Sequence, residues 1–548
     1  MDKNSVVAIV LIMIIIVGWQ LLFRNQTAPQ IQTPASQEQI QDTLGVATPS
    51  QPVVPARDES KPSAIESQKP RKRVVIQKEE IVKVENDLFR GLLSSRDGGS
   101  VISWKLKNYL GKDGKWVEMV TDTVGGNLSL AAGLNLDQSA FQVVYDTLGE
   151  EKIYRFVSHL DNGVSVEKIF KIIPGTYDVR MGVRFTGLDY GQIRERYSVQ
   201  WRSGLLPTEK RINDDERYYQ AYALQGGELL KTKEKSTGLR EGSTDWIAMR
   251  TKYFLMALIP ETQGRAAFLE GREVQIHYED EAATQKWRWL TTRIEMAYNR
   301  QEVEESWFTL YMGPMDYQEL KSHGVQLEKM MNFGWAIIKP FSILFYHVLQ
   351  FIRGVVGNFG WAIIIFAIMI KIVLYPLTRK SFQSMRKMQA LQPKINALKE
   401  KYKNDQQKMT QATMALYKEE GVNPMSGCLP MLLQMPVLFA LFNLFRTTIM
   451  LRQAPFGLIK DLSAPDGIIA LGSTSIHVIP ILMGATMIIQ QKLSMQDPKQ
   501  KAMAYMMPIF FTFMFYRFSS GLNLYYLIFN LVTIAQELIV KKGKAKEE

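Results

Sequence analysis

Apolar runs of near-bilayer length, separated by short basic loops, constrain this chain most. One opens the sequence and five crowd its carboxy-terminal third. Residues 5–23 carry no charge over 19 positions, the length that crosses about 30 Å of hydrocarbon at 1.5 Å per residue. Trp19 and Phe23 sit where an interfacial aromatic belt falls. The run exceeds a usual signal-peptide core, and no A-x-A site or lipoprotein cysteine follows it. Residues 1–23 therefore read as an uncleaved anchor. Further spans are expected at 358–378, 425–446, 475–492, 502–518 and 521–540. The fold class is then a multi-domain membrane protein with a six-span α-helical bundle, the anchor plus a five-helix core.

Loop charges orient the bundle. Residues 378–424 carry ten Lys/Arg against four Asp/Glu, and the tail 541–548 carries four Lys. The loop 493–501, with Lys492 at its edge, is also basic, whereas 447–474 holds only Arg452 and Lys460 as cations. The positive-inside rule places 379–424, 493–501 and the tail in the cytoplasm and the loop 447–474 outside. Both termini are then cytoplasmic and 24–357 lies on the opposite side of the membrane. Residues 333–351 are almost apolar enough to span. Spanning would invert every later loop, so 323–357 reads as an amphipathic interfacial helix with Lys339 and His347 towards headgroups.

Residues 24–74 read as a disordered linker, with seven Pro and eight Gln in 24–70 and no hydrophobic periodicity. From 75 to 322 the period becomes two. Residues 177–185 alternate, and Asp97-Gly98-Gly99, Asp161-Asn162-Gly163 and Pro174-Gly175 supply turns. This predicts a large antiparallel β-sandwich. No GxSxG elbow, HExxH or Walker-type loop occurs. A single cysteine, Cys428, excludes a disulfide framework and a multi-Cys metal site. No cofactor, metal, catalytic residue or small-molecule substrate is expected.

Lys371 is the most informative residue within the spans. A mid-helix ammonium costs about 2.5–3.5 kcal/mol on insertion scales. It either snorkels to the inner interface or faces a water-filled cavity. Gln434, Asn443, Gln490, Gln491, Asn523 and Asn530 are weaker polar marks, each more often interhelical glue than a site. Glu537 is the one acidic residue close by, near the cytoplasmic end of its span. The Met- and Phe-rich stretch 503–515 is either a packing stripe or a surface that adapts to many hydrophobic helices. Residues 379–424 read as a helical hairpin, with Met385, Met388, Leu391, Ile395, Leu398 and Tyr402 at 3/4 spacing and a turn at Asn404-Asp405. Its basic face, Arg379, Lys380, Arg386, Lys387, Lys394 and Lys399, suits anionic lipids or ribosomal RNA.

Ordered motifs along the chain are Asp245-Trp246-Ile247, Tyr253-Phe254, Leu258-Ile259-Pro260, 311–317, Tyr375-Pro376-Leu377-Thr378 and 391–395. They continue with Asn423-Pro424, Gly427-Cys428, Gln434-Met435-Pro436, 453–456 and 521–526. On these the chain resembles the YidC/Oxa/Alb family of membrane protein insertases, in its Gram-negative form with a large periplasmic domain. The resemblance implies a hydrophilic groove in the inner leaflet, with a basic residue at Lys371 where arginine is common. Lysine keeps the charge and loses the bidentate fork. It implies substrate contacts at Met435 and Tyr526, with Gln434, Asn523 and Tyr525 as further candidates. The implied partners are nascent membrane proteins, the Sec translocon, the ribosome and anionic lipids. At 517–521 the chain departs from the pattern, having Arg-Phe-Ser-Ser-Gly where relatives usually carry an aromatic and a proline. Two rivals have less support. A secondary transporter would need an ion-coupled site and often internal repeats, and an anchored sugar-binding or sugar-processing enzyme would place function in the β block.

Overall fold

The computed structural model describes residues 78–544 except 122–125, 132–140, 161–162, 188–194, 233–234, 277–284, 300, 404, 423–428, 472–473 and 495–500. The expected anchor, the linker, Asn404, Asn423-Pro424, Gly427-Cys428, most of the loop 493–501 and the end of the tail lie outside the described residues. So do the side chains of Lys380, Met385 and Arg386.

Alternation becomes antiparallel sheet because successive side chains point to opposite faces. Strand Asp178–Thr186 buries Val179, Met181, Val183 and Phe185. Ile81–Glu85, Phe89–Ser94, Ser100–Leu110 and Trp116–Thr121 form a four-stranded meander in sequence order. A 13-stranded sheet follows. Its path runs from Ser129–Ala131 through Arg196–Trp201, Gln285–Ala297, Gly264–Ile276, Leu239–Arg250, Phe254–Pro260, Val303–Pro314, Asp178–Thr186, Ser165–Ile172 and Glu151–His159 to Gln142–Leu148. Gln220–Gln225 and Glu228–Thr232 branch from Leu239–Arg250. The small sheet meets the large one at the Asp97-Gly98-Gly99 turn. Gly99 has φ +88°, and a Cβ there would lie 2.5 Å from the Phe170 ring. Beside this turn the buried Lys168 donates to the carbonyls of Leu128 (2.7 Å) and Asp97 (3.2 Å). Burial pushes its ammonium down to about 7, with the Asp97 charge opposing.

Ten helices are labelled along the described residues: α1 Ile212–Glu216, α2 Tyr317–Ser322, α3 Lys339–Val356, α4 Phe359–Ala390, α5 Gln392–Lys401, α6 Gln406–Glu419, α7 Leu429–Thr447, α8 Val478–Ser494, α9 Lys501–Phe515 and α10 Ser520–Lys544. In the bundle α10 packs on α4 and α8, α9 on α8, and α3 on α4 and α7. Among the described residues, Phe359–Pro376 and Ser520–Ile539 are long and apolar enough to cross a membrane, and Val478–Leu493 and Tyr505–Phe515 are shorter apolar helices.

Several boundaries differ from the sequence reading. The helix expected over 323–357 starts only at Lys339, because Gly334 takes φ +96° and Phe333 turns inward to stack edge-on with Tyr317 at 5.3 Å. Its buried face is Ser342, Phe345, Tyr346, Leu349 and Ile352. Lys339, His347, Phe351 and Val355 are exposed. The fourth apolar segment does not begin as helix at 475. Thr474–Ile476 pairs with Ile469–Leu471, and α8 starts at Val478. There the Asp466 carboxylate accepts from the N–H groups of Val478 (2.5 Å) and Ile479 (3.2 Å), satisfying orphan donors of the first turn. The 3/4 pattern from 385 to 402 is two helices, not one. α4 continues to Ala390, and α5 restarts with Pro393 in its first turn, where a missing N–H costs no bond.

The β domain is riveted to the bundle. Trp246 Nε1 donates to Val325 O (2.8 Å) and Arg250 Nη1 to Met330 O (2.6 Å), strapping 325–330 onto the long sheet. Asp316 caps α2 by accepting from the N–H groups of Gln318 and Glu319, and it also takes the Tyr346 hydroxyl of α3 at 3.0 Å. At the end of α2 the His323 ring lies 2.9 Å from Asp178 Oδ1. Burial alone would lower the imidazole's pKa, but the hydrogen bond and charge of Asp178 and the Glu319 carbonyl outweigh it, and the pKa is raised. A raised histidine stabilises the fold fully below its unfolded value and loses that contribution as pH rises through the folded value. The thermal midpoint of the wild type should therefore exceed that of Asp178→Asn most at acidic pH. The gap should narrow towards alkaline pH, as read by melts across a pH series in detergent. A gap constant with pH would contradict the pairing.

Candidate functional site

α4 has two faces. Ala362, Ile363, Phe366, Ala367 and Ile370 are buried at 3/4 spacing, while Ile365, Ile368, Ile372 and Val373 are exposed. Lys371 belongs to the inward stripe and is 3% exposed. Its Nζ donates to Thr533 Oγ1 at 2.8 Å and lies 4.5 Å from the centroid of the Phe529 ring. Both partners belong to α10. The Thr533 hydroxyl donates its own hydrogen to Phe529 O at 2.7 Å, so towards Lys371 it acts purely as acceptor. A neutral hydroxyl and an aromatic face thus hold the ammonium.

Neither sequence alternative describes this arrangement. The stem does not carry the charge out to headgroups, and the ammonium is enclosed by helices rather than open to a cavity. Thr533 and Phe529 are uncharged, so neither advertises itself in the sequence as the partner of a buried cation. Thr533 lies three residues after Asn530 and four before Glu537, so the helical period that ties those two together also passes through it.

Around Lys371 runs a polar seam. Asn523, Asn530, Thr533 and Glu537 are all buried on one side of α10. Asn530 Nδ2 donates to Thr486 Oγ1 of α8 at 3.3 Å. Asn523 Nδ2 donates to Phe515 O (3.2 Å), tying α10 back to α9. Among the described residues, Asn523 Oδ1, Tyr525 OH, Tyr526 OH, Gln491 Oε1 and Gln536 Oε1 are buried without a protein hydrogen-bond partner. Polar atoms in such number demand an external partner, water or a polar main chain.

The other expected site residues divide. Tyr525 is buried, its ring 5.9 Å from Phe529 and 6.2 Å from Phe366 of α4, so it joins the neighbourhood of Lys371. Tyr526 faces α9, 5.4 Å from Phe515. Gln434 and Met435 are half-buried on α7. On the hairpin, Lys394 pairs with Glu420 at 2.6 Å and so bridges α5 to the end of α6. Leu391, Ile395 and Val422 form a small core of their own there. Arg379 and Lys387 are exposed and Lys399 is half-buried.

A family model described as the 60Kd inner membrane protein matches residues 351–548, and one described as the YidC periplasmic domain matches 81–344. These fit the two halves of the fold and define a class: an inner membrane protein with a helical core and a large, β-rich periplasmic domain. Its relatives include the membrane protein insertase YidC of Chlorobium limicola, 36% identical over 100% of this chain and 96% of that protein. The insertase YidC of Pelodictyon phaeoclathratiforme is 36% identical over 99% of this chain and 95% of its own. That of Chlorobium luteolum is 34% identical over 98% and 95%. The chain belongs to the YidC family.

The seam makes a direct prediction. Thr533→Val keeps the shape and removes the acceptor, leaving the ammonium with the ring alone. It should destabilise the bundle by about 1–3 kcal/mol, and Thr533→Ser should recover most of the loss. Thermal unfolding in detergent measures both.

Proposed function

We propose that this chain inserts nascent integral membrane proteins and helps them fold, alone or beside the Sec translocon, and that it is not an enzyme. One observation carries the reading: a cation sits inside the bundle on a neutral, exchangeable partner. A carboxylate adds to the hydrogen bond a full opposite charge that a hydroxyl lacks, so an acidic flank of a client can displace the Thr533 hydroxyl from Lys371. Buried oxygens at Asn523, Tyr525 and Tyr526 are ready to accept from the client's main chain.

The topology proposed is six spans with both termini in the cytoplasm and 24–357 in the periplasm, supported by the loop charges. The hydrocarbon path is short here. The helix α9 has 15 residues, or about 22 Å at 1.5 Å per residue, and a helix shorter than the bilayer core thins the bilayer around it. The client's polar flank thus crosses a reduced barrier. Its apolar segment then slides into lipid past Met435 and the aromatic side chains of α9. Partitioning supplies the free energy, about 0.3–0.6 kcal/mol for each Leu, Ile, Phe or Val, and no nucleotide is consumed. The exposed Arg379 and Lys387 suit the ribosome or anionic lipid headgroups at the cytoplasmic face.

Reconstituted vesicles test this. Lys371→Gln should slow insertion of a single-span client with Asp residues in its translocated flank by roughly tenfold, equivalent to about 1.4 kcal/mol. The same client carrying Asn should change by less than about twofold, since a neutral flank draws little on the ammonium. Equal insertion of both clients by variant and wild type would refute the role of Lys371.

A further inference from the structure

Glu537 is a carboxylate buried within the bundle at 8% exposure. It lies one helical turn beyond Thr533 on the same side of α10, about 6 Å away by helical spacing. Thr533 is the residue whose hydroxyl holds Lys371 at 2.8 Å. The Glu537 charge acts on the Lys371 ammonium. The hydrogen bond from the Lys371 ammonium goes to the Thr533 hydroxyl. The cation is therefore held by a neutral group and biased by a charged one slightly further along the helix.

We infer that Glu537 is a specificity-determining residue: an internal counter-charge whose field competes with a client's carboxylate for Lys371 and so sets how strongly the seam prefers acidic flanks over neutral ones. The inference rests on the reading of Lys371 as the cation that acidic client flanks engage. The physical logic is a difference of affinities. An uncompensated ammonium in a low-dielectric bundle would bind any acidic segment tightly and release it slowly. A carboxylate one turn away lowers that attraction without occupying the binding direction, so acidic clients are captured and then let go. The field of a full charge one helical turn from that contact, at the effective dielectric of a partly hydrated site, is enough to change such a preference by roughly threefold or more.

The test uses the full chain in proteoliposomes and two clients that differ only by Asp or Asn at the translocated flank. The quantity read is the ratio of their insertion rates. In Glu537→Gln the ratio should rise at least roughly threefold above wild type, and photocrosslinking of the Asp flank to α4 should persist longer. In Lys371→Gln, and in Lys371→Gln combined with Glu537→Gln, the ratio should fall towards one. If Lys371→Gln lowers the ratio while Glu537→Gln leaves it at the wild-type value, the role of Glu537 is overturned and that of Lys371 stands. If Lys371→Gln itself leaves the ratio unchanged, the underlying reading fails instead. Should Glu537→Gln prevent assembly, the ratio is read for Glu537→Asp, whose carboxylate is withdrawn by one methylene. A smaller rise supports the inference there, and a wild-type ratio overturns it.

Discussion

The bundle is organised around one contact, the Lys371 ammonium on the Thr533 hydroxyl. A charge inside a membrane protein persists only where partners offset its lost hydration. α4 supplies the charge and α10 supplies its partners, so the register between these helices is fixed by the contact. The same requirement explains why one side of α10 is polar from Asn523 to Glu537 while Leu531 and Ile539 are exposed. Lysine suits this geometry better than arginine would. One Nζ fits between a single acceptor and a ring face, whereas a guanidinium brings five donors in a planar fork that one hydroxyl cannot satisfy.

A second constraint lies outside the spans. Arg452, in the loop between α7 and α8, donates Nε to Glu209 (2.8 Å) and Nη2 to Leu110 O (2.8 Å), and its guanidinium lies 5.2 Å from the Phe254 ring. Its side chain is 2% exposed. Glu209 is in turn positioned by Asp215, whose Oδ2 accepts from the N–H groups of Thr208 (2.6 Å) and Glu209 (2.9 Å). Burial and the neighbouring Glu209 charge raise the Asp215 carboxyl to about 6, against the pull of those N–H donors. The family motifs at 245–247, 253–254 and 311–317 fall at this joint. They hold the β domain to the bundle and have no part in the seam.

Much of this was legible in the residues. Period-two alternation at 178–186 and the Gly98-Gly99 turn gave strands, and Lys371 stood out because a lone charge in an apolar run is costly. What stayed hidden depended on partners distant in sequence. Nothing local says that Asp466 caps a helix starting twelve residues later, or that Phe333 turns inward at Gly334. The pairing of Lys371 with Thr533 spans 162 residues, and threonine carries no charge to advertise it. Periodicity also ran unbroken across Leu391, because apolar spacing records a face and not a chain break; Pro393 was the informative residue there.

The two constraints together decide where the bundle can yield. At its amino-terminal end α10 is pinned: Ser520 Oγ donates to Asp461 O (2.8 Å) and Ala464 O (2.7 Å), and Gly521 N donates to Leu462 O (2.9 Å). That same loop is locked to the β domain through Arg452. Towards its other end the hydrogen bonds of α10 to other helices include side-chain bonds to Lys371 and Thr486. Each joins one neutral hydroxyl to one donor and can be exchanged for another acceptor or donor. Helices fixed at one end and joined by replaceable bonds at the other separate from the replaceable end. In the proposed orientation that end faces the cytoplasm, where a nascent segment arrives. The buried β-domain joint lies at the opposite end, where α10 is held to the loop that carries Arg452.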